Sequence, residues 1–196
     1  MKKLHTLMVA YRRPIELMTS CGLFLRQTNP NWDLKIIHDG VPPKQVSDIM
    51  NLFGDERIKF NYSKTRNSFW GHPNRKKMLE DLVCEDTDFV LMTNDDNIIV
   101  PNFIEQMLGV TTEKTGFVMC DMVHSYCFYD YFKTQLKVGF IDMGAFIVRA
   151  DVAKAVGFNH INEFVADGLY AVECGTYCVE HNLDILHIEK PLFIHC

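Results

Sequence analysis

Several things are missing from this 196-residue sequence, and each absence excludes a class of protein. No apolar run reaches the ~18 residues that a membrane span requires. The first ten residues, Met-Lys-Lys-Leu-His-Thr-Leu-Met-Val-Ala, lack the longer apolar stretch and cleavage site of a secretory leader. Lipidation motifs are absent at both ends. Positive charge is not in excess: 20 Lys and Arg against 25 Asp and Glu leave a net charge of −5. That balance argues against non-specific binding to nucleic acid or to an anionic membrane. Repeats, low-complexity tracts and long charge runs are lacking, so no linker divides the chain and one domain over 1–196 is expected. The seven cysteines, Cys21, Cys84, Cys120, Cys127, Cys174, Cys178 and Cys196, follow no framework pattern. An odd, irregular set fits reduced thiols and a cytoplasmic location. The P-loop and the Gly-rich dinucleotide fingerprint are missing too, which lowers NTPase and dehydrogenase readings.

What is present is an alternation of short β-rich runs with helical patterns. Leu4 to Tyr11 reads as a strand. Pro14 opens a helix with Leu17, Met18, Cys21, Phe24 and Leu25 on one face. Leu34 to His38 is a second strand, stopped by Asp39-Gly40, and Pro42-Pro43 starts a second helix. Arg57 to Tyr62 is a third strand. Residues 73–83 form a helix burying Met78, Leu79, Leu82 and Val83, and Phe89 to Met92 is a fourth strand. The βαβαβαβ order predicts an α/β fold, a mostly parallel central sheet with helices on both faces. Further on, Phe117 to Met122 reads as a strand and Val138 to Val148 as another, broken near Gly144. Helices are expected at 151–156 and about 168–181, with closing strands from Ile185 to Ile194. The first part, 1–97, reads as a nucleotide half and 98–196 as an acceptor half.

Ligands of open α/β sheets bind beyond the carboxyl ends of the strands. Those ends carry Tyr11-Arg12-Arg13, Asp39-Gly40 and Thr93-Asn94-Asp95-Asp96-Asn97. Adjacent carboxylates such as Asp95-Asp96 are tolerated best beside a cation, and hard oxygen ligands suit Mg²⁺ or Mn²⁺ completed by substrate phosphates. The same residues also make a good turn. Asp39 is either turn punctuation or an acceptor for the imide N–H of uracil. Arg66 and Arg75 flank Gly71 at a helix start, where an anion such as a diphosphate is favoured. Asp167, before the last helix, is either an N-cap or a general base. Cys174, Cys178 and His181 share helical spacing, but no second ligand pair accompanies them, so a thiol-lined core face is expected rather than zinc.

Taken in order, Val9-Ala10-Tyr11-Arg12-Arg13-Pro14, Ile37-His38-Asp39-Gly40, Gly71-His72-Pro73-Asn74-Arg75 and Thr93-Asn94-Asp95-Asp96-Asn97 resemble the donor half of GT-A-fold glycosyltransferases, particularly family 2. Ile141 to Arg149 resembles the acceptor-side strand, and Asp167 falls where that family keeps its base. The resemblance implies a single-domain GT-A (nucleotide-diphospho-sugar transferase) fold. It also implies metal-dependent, inverting transfer from a nucleotide sugar, UDP-linked, to an acceptor hydroxyl. Ala10, Tyr11 and Arg13 would line the donor pocket, with Asn94 at its edge. Asp39 would hold the base, and Arg66, Gly71 and Arg75 would border the diphosphate. Asp95 would meet the ribose or the metal, and Asp96 would hold Mn²⁺ or Mg²⁺. His195 would be a further metal ligand. Asp142 and Gly144 would border the sugar and acceptor, and Asp167 would take the acceptor's proton. The implied partners are the donor and a glycan, lipid-linked or other hydroxyl acceptor; a homo-oligomer stays open. The family's acidic triplet is replaced here by Thr93-Asn94-Asp95-Asp96, so the division of roles between the two acids is open. Two rival readings are a non-catalytic nucleotide- or sugar-binding module and a sugar nucleotidyltransferase.

Overall fold

The computed structural model describes residues 2–196. Its first part alternates strands and helices: β1 (Leu4–Ala10), α1 (Pro14–Leu25), β2 (Trp32–His38), α2 (Lys44–Met50), β3 (Ile58–Tyr62), α3 (His72–Glu80) and β4 (Phe89–Asn94). There follow β5 (Ile98–Ile99), α4 (Phe103–Gly109), β6 (Thr115–His124), β7 (Asp130–Phe132), β8 (Phe146–Arg149), α5 (Ala150–Val156), α6 (Ala166–Glu180) and β9 (Asp184–His195). The strands lie in the order β3-β2-β1-β4-β8-β6-β9-β5, with β7 added to β6. β3, β2, β1 and β4 are mutually parallel, as crossover helices require. β8 runs antiparallel between β4 and β6, and β9 is parallel to β6.

Side chains alternate across β1. Leu4, Met8 and Ala10 enter a core packed by α1, α2 and α4. Leu7 and Val9 enter a second core packed by α3, α5 and α6. Every residue of β1 is buried, which a strand covered on both faces demands. The sheet also curls. Asn94 ends β4 and Ile98 begins β5, a step that reaches at most ~14 Å. A flat sheet with four strand spacings between β4 and β5 would need ~19 Å. Pro191 pairs with Asp121 at a break in the β6–β9 register, where a missing N–H is tolerated.

Away from the carboxyl ends of the parallel strands, His5 is clamped between two acids. Its Nδ1 lies 2.9 Å from Asp33 and its Nε2 3.1 Å from Asp88. Burial opposes charge on this ring, but hydrogen bonds to Asp33 and Asp88 outweigh it and its pKa is raised.

The expectations from sequence need correction in several places. Met18 and Leu25 lie on the exposed part of α1, while Leu17, Cys21 and Phe24 are buried. α3 stops at Glu80, so Val83 is 88% exposed. Residues 138–142 are not strand; only Phe146–Arg149 pairs, after a 3₁₀ turn over Met143–Ala145. Asp167 is not an N-cap. It sits inside the first turn of α6, whose capping position is Val165. α4, β5 and β7 were not anticipated. All seven cysteines are free. Cys174 and Cys178 are core residues, and His181 stacks on Tyr177 instead of joining them. Among the described residues, no helix is long and apolar enough to cross a membrane.

Candidate active site

The ends of β1, β2 and β4 meet at one edge. Asp39 N–H donates to the Ala10 carbonyl oxygen at 2.8 Å, and Asp95 N–H to that of Val9 at 3.2 Å. The Asp95 carboxylate in turn accepts from Tyr11 N–H at 3.1 Å. Burial pushes its pKa up to about 6, against the Tyr11 N–H and Arg13, which lower it. The Arg13 guanidinium pairs with Asp96 and comes within 3.6 Å of Asp95. The two neighbouring acids therefore share a cation supplied by the chain. Tyr11 carries the Arg66 guanidinium over its ring at 4.2 Å. Ala10, Tyr11, Arg13 and Arg66 thus gather at the edge where the donor was expected.

Asp39 has a task that spacing did not suggest. It accepts hydrogen bonds from Asn67 N–H at 2.8 Å, Ser68 N–H at 3.0 Å and the Asn74 side chain at 2.9 Å. It anchors a loop in which Ser68, Phe69, Trp70 and Gly71 all have positive φ. Such a backbone is costly for side-chain-bearing residues and persists only where the surroundings fix it. Gly71 fits because a Cβ there would run into the Val9 side chain. Arg75 fixes the loop from beneath. It is 2% exposed and donates to the Trp70 carbonyl oxygen at 2.7 Å, with Asn94 Oδ1 and His72 as further partners. Burial lowers its pKa to about 10, countered by Asp142, Asp167 and Asp95, so it stays charged. Arg75 is an internal strut and not the open phosphate contact expected from sequence.

Beside the loop opens a cavity of about 460 Å³. Asn94, Asp142 and Asp167 line it, with His72, His124 and His195. Asp142 begins the 3₁₀ turn and accepts from Gly144 N–H at 3.1 Å. Gly144 lies so close to the Phe193 ring that a Cβ would collide with it. His195 is held in β9 with Nε2 3.2 Å from Asp142, and its ring centroid is 4.5 Å from that of His124. Asp167 accepts from Gly168 N–H at 2.8 Å. Burial first, then the nearby Asp142 charge, raises its pKa to about 6. A carboxylate tuned to this range is suited to accept a proton near neutral pH. Asp142 and Asp167, separate in sequence, thus share one wall. His124 and Phe164 were missed. His124 could have been found by extending the β6 reading two residues beyond Met122; Phe164 has no sequence signal.

The expected metal set is not assembled by the protein alone. Among the described residues, no three His, Cys, Asp or Glu side chains converge to hold an ion. His195 turns to Asp142, while Asp96 lines a neighbouring cavity with Arg13, Tyr126 and Cys196. One feature does fit a divalent cation: Asp96 Oδ1 is buried without a hydrogen-bond partner. A single carboxylate plus substrate phosphates is a common way to hold Mg²⁺.

No family model and no curated protein sequence matches the chain. Solved structures do. S. aureus TarS 1–349 in complex with UDP superposes with a TM-score of 0.75 at 13% identity, covering 100% of this chain and 60% of that one. The mannosyltransferase PcManGT from Pyrobaculum calidifontis, in complex with GDP-Man and Mn²⁺, gives 0.73 at 9% identity, covering 98% and 56%. A 4-diphosphocytidyl-2C-methyl-D-erythritol synthase gives 0.58 at 10% identity, covering 96% and 90%. The chain thus spans less than two thirds of TarS 1–349 and of PcManGT. The likeness establishes a GT-A type, nucleotide-diphospho-sugar transferase fold.

Proposed function

We propose that this chain is a glycosyltransferase, family 2-like, that moves a sugar from a nucleotide donor, UDP-linked, to an acceptor hydroxyl with inversion. The observation that carries the reading is Asp167, its pKa near 6, lining one cavity with Asn94 at the end of β4 and with Asp142. The fold it shares with proteins bound to UDP and to GDP-Man supports the donor class. In this reading Tyr11 and Arg66 pack the nucleotide, and Asp39 serves the base by fixing the loop beside it. Arg13, half exposed, exchanges Asp96 for a donor phosphate. Asp96 would hold Mn²⁺ or Mg²⁺ through its unpartnered oxygen, and that ion would stabilise charge on the leaving diphosphate. Asp142 and Gly144 border the transferred sugar. Asp167 takes the acceptor's proton as its oxygen attacks the sugar carbon from the side opposite the diphosphate. We place the activity in a single domain and in the cytoplasm, where free thiols persist.

Calorimetric titration with UDP, with and without Mn²⁺, tests this. Binding should tighten with the metal and lose that gain in Asp96→Ala. Binding that ignores both would sink the reading. The fold is also shared with a 4-diphosphocytidyl-2C-methyl-D-erythritol synthase, and pyrophosphate release from a nucleoside triphosphate and a sugar phosphate would favour a nucleotidyltransferase.

A further inference from the structure

Two large aromatic side chains stand open at the mouth of the cavity that holds Asp142 and Asp167. Trp70 is 57% exposed and Phe164 is 72% exposed. Their ring centroids lie 5.3 Å apart, edge to face, although they come from segments far apart in sequence. Both line the cavity. Two exposed aromatic rings in contact beside a polar cavity make a contiguous apolar surface of the kind that marks a ligand-binding groove. Neither is left there by default. Trp70 is held in a left-handed backbone by Asp39 acting through residues 67 and 68 and by Arg75 bonded to its carbonyl oxygen. Phe164 lies three residues before Asp167, so the chain that enters α6 delivers both to the same opening.

The floor differs from the rim. It offers carboxylates, an amide and imidazoles as hydrogen-bonding groups: Asp142, Asp167, Asn94, His72, His124 and His195. Among the residues lining the cavity there is no lysine or arginine, and the nearby Arg75 is buried, with both terminal nitrogens held by Trp70, His72 and Asn94. A ligand that fits must therefore be neutral, carry several hydroxyls for the floor, and show an apolar C–H face to the rim. A lipid tail would leave the carboxylates unpaired, and a phosphorylated or carboxylated ligand would meet them without a counter-charge.

We infer that the acceptor is a neutral oligosaccharide, with one sugar ring seated against Trp70 and Phe164 and a hydroxyl directed at Asp167. The inference rests on the glycosyl-transfer reading above and narrows its acceptor class. The rim supplies affinity through ring faces, and the floor supplies orientation through hydrogen bonds.

The test uses the full chain, fluorescently labelled, with UDP and Mn²⁺ in excess, on a printed array of defined neutral and anionic oligosaccharides. The expected result is binding to neutral glycans. The signal should fall about tenfold in Phe164→Ala and in Trp70→Ala and return in Phe164→Tyr. Both side chains are exposed, and an unchanged melting temperature confirms that each variant folds. Binding confined to anionic glycans, no glycan binding at all, or a signal indifferent to both alanine variants overturns the inference. Calorimetry of UDP on the wild-type chain separates the two levels. UDP bound without any neutral glycan overturns the acceptor class alone; no UDP binding overturns the reading beneath it.

Discussion

Arg75 Nη1 donates to the carbonyl oxygen of Trp70 at 2.7 Å, so a buried cation holds the backbone of an exposed aromatic. Removing that cation should cost far more than its place in a basic Arg-Lys-Lys run suggests. Arg75→Ala leaves the Trp70 carbonyl and Asn94 Oδ1 without their donor. A part-buried group left unpaired costs up to about 1–3 kcal/mol. Urea denaturation should show a loss of a few kcal/mol, about 3 in all, whereas Lys76→Ala, on the half-exposed side of α3, should change little.

Asp167 gives a signed prediction in pH. Its pKa in the folded chain is raised to about 6, above that of the unfolded carboxyl. An acid raised on folding imposes no penalty below the unfolded pKa. The penalty grows through the window between about 4 and 6 and is complete above it. Asp167→Asn should therefore raise the melting temperature at pH 7.5, with the gain vanishing by pH 4. The same change should abolish transfer, whose rate in the wild type should fall as pH drops through 6. A variant that is inactive and no more stable at pH 7.5 would contradict the burial argument.

His5 predicts the opposite slope. Its pKa is raised by Asp33 and Asp88 against the effect of burial. The stabilisation from its charged form is complete below the unfolded pKa of about 6.5 and is lost as pH rises through the folded value. His5→Gln should be more destabilising at pH 5.5 than at pH 9, read as the difference in urea midpoint between variant and wild type.

Gly144 is constrained by its neighbour and not by its backbone angle, since a Cβ there would enter the Phe193 ring. Gly144→Ala should destabilise the chain by about 1–3 kcal/mol. It should also weaken UDP-sugar binding more than UDP binding, because the displaced turn carries Asp142 and not the nucleotide edge. Equal losses for both ligands would place Gly144 elsewhere in the chemistry.

The donor half was the more legible in sequence. β1, β2 and β4 announced themselves by apolar runs ended by Tyr11, Asp39 and Asp95, and the parallel topology followed from the helices between them. Their carboxyl ends meet as that topology requires. What failed was the destination of individual side chains. Met18, Leu25 and Val83 satisfy a helical period, but the helix has a margin, or has already stopped, where they fall. Arg75 reads from sequence as a neighbour of the diphosphate at a helix start, and only the loop folded above it takes it out of water. Residues 138–142 have strand-like composition, but β6 is already paired with β7, β8 and β9 and has no edge to offer them. His124 and Phe164 are placed by contacts across the sheet, and a single sequence does not report those.

The loop tied down by Asp39 has a consequence for timing. Its left-handed residues are set when the chain folds, through three donors that a carboxylate holds before any ligand arrives. A ligand that settles against Trp70 therefore freezes little beyond its own rotations. Preorganisation of this kind shows itself mainly in residence time. The rim should release its occupant slowly, and loosening the loop at Asp39 should hasten departure more than it delays arrival.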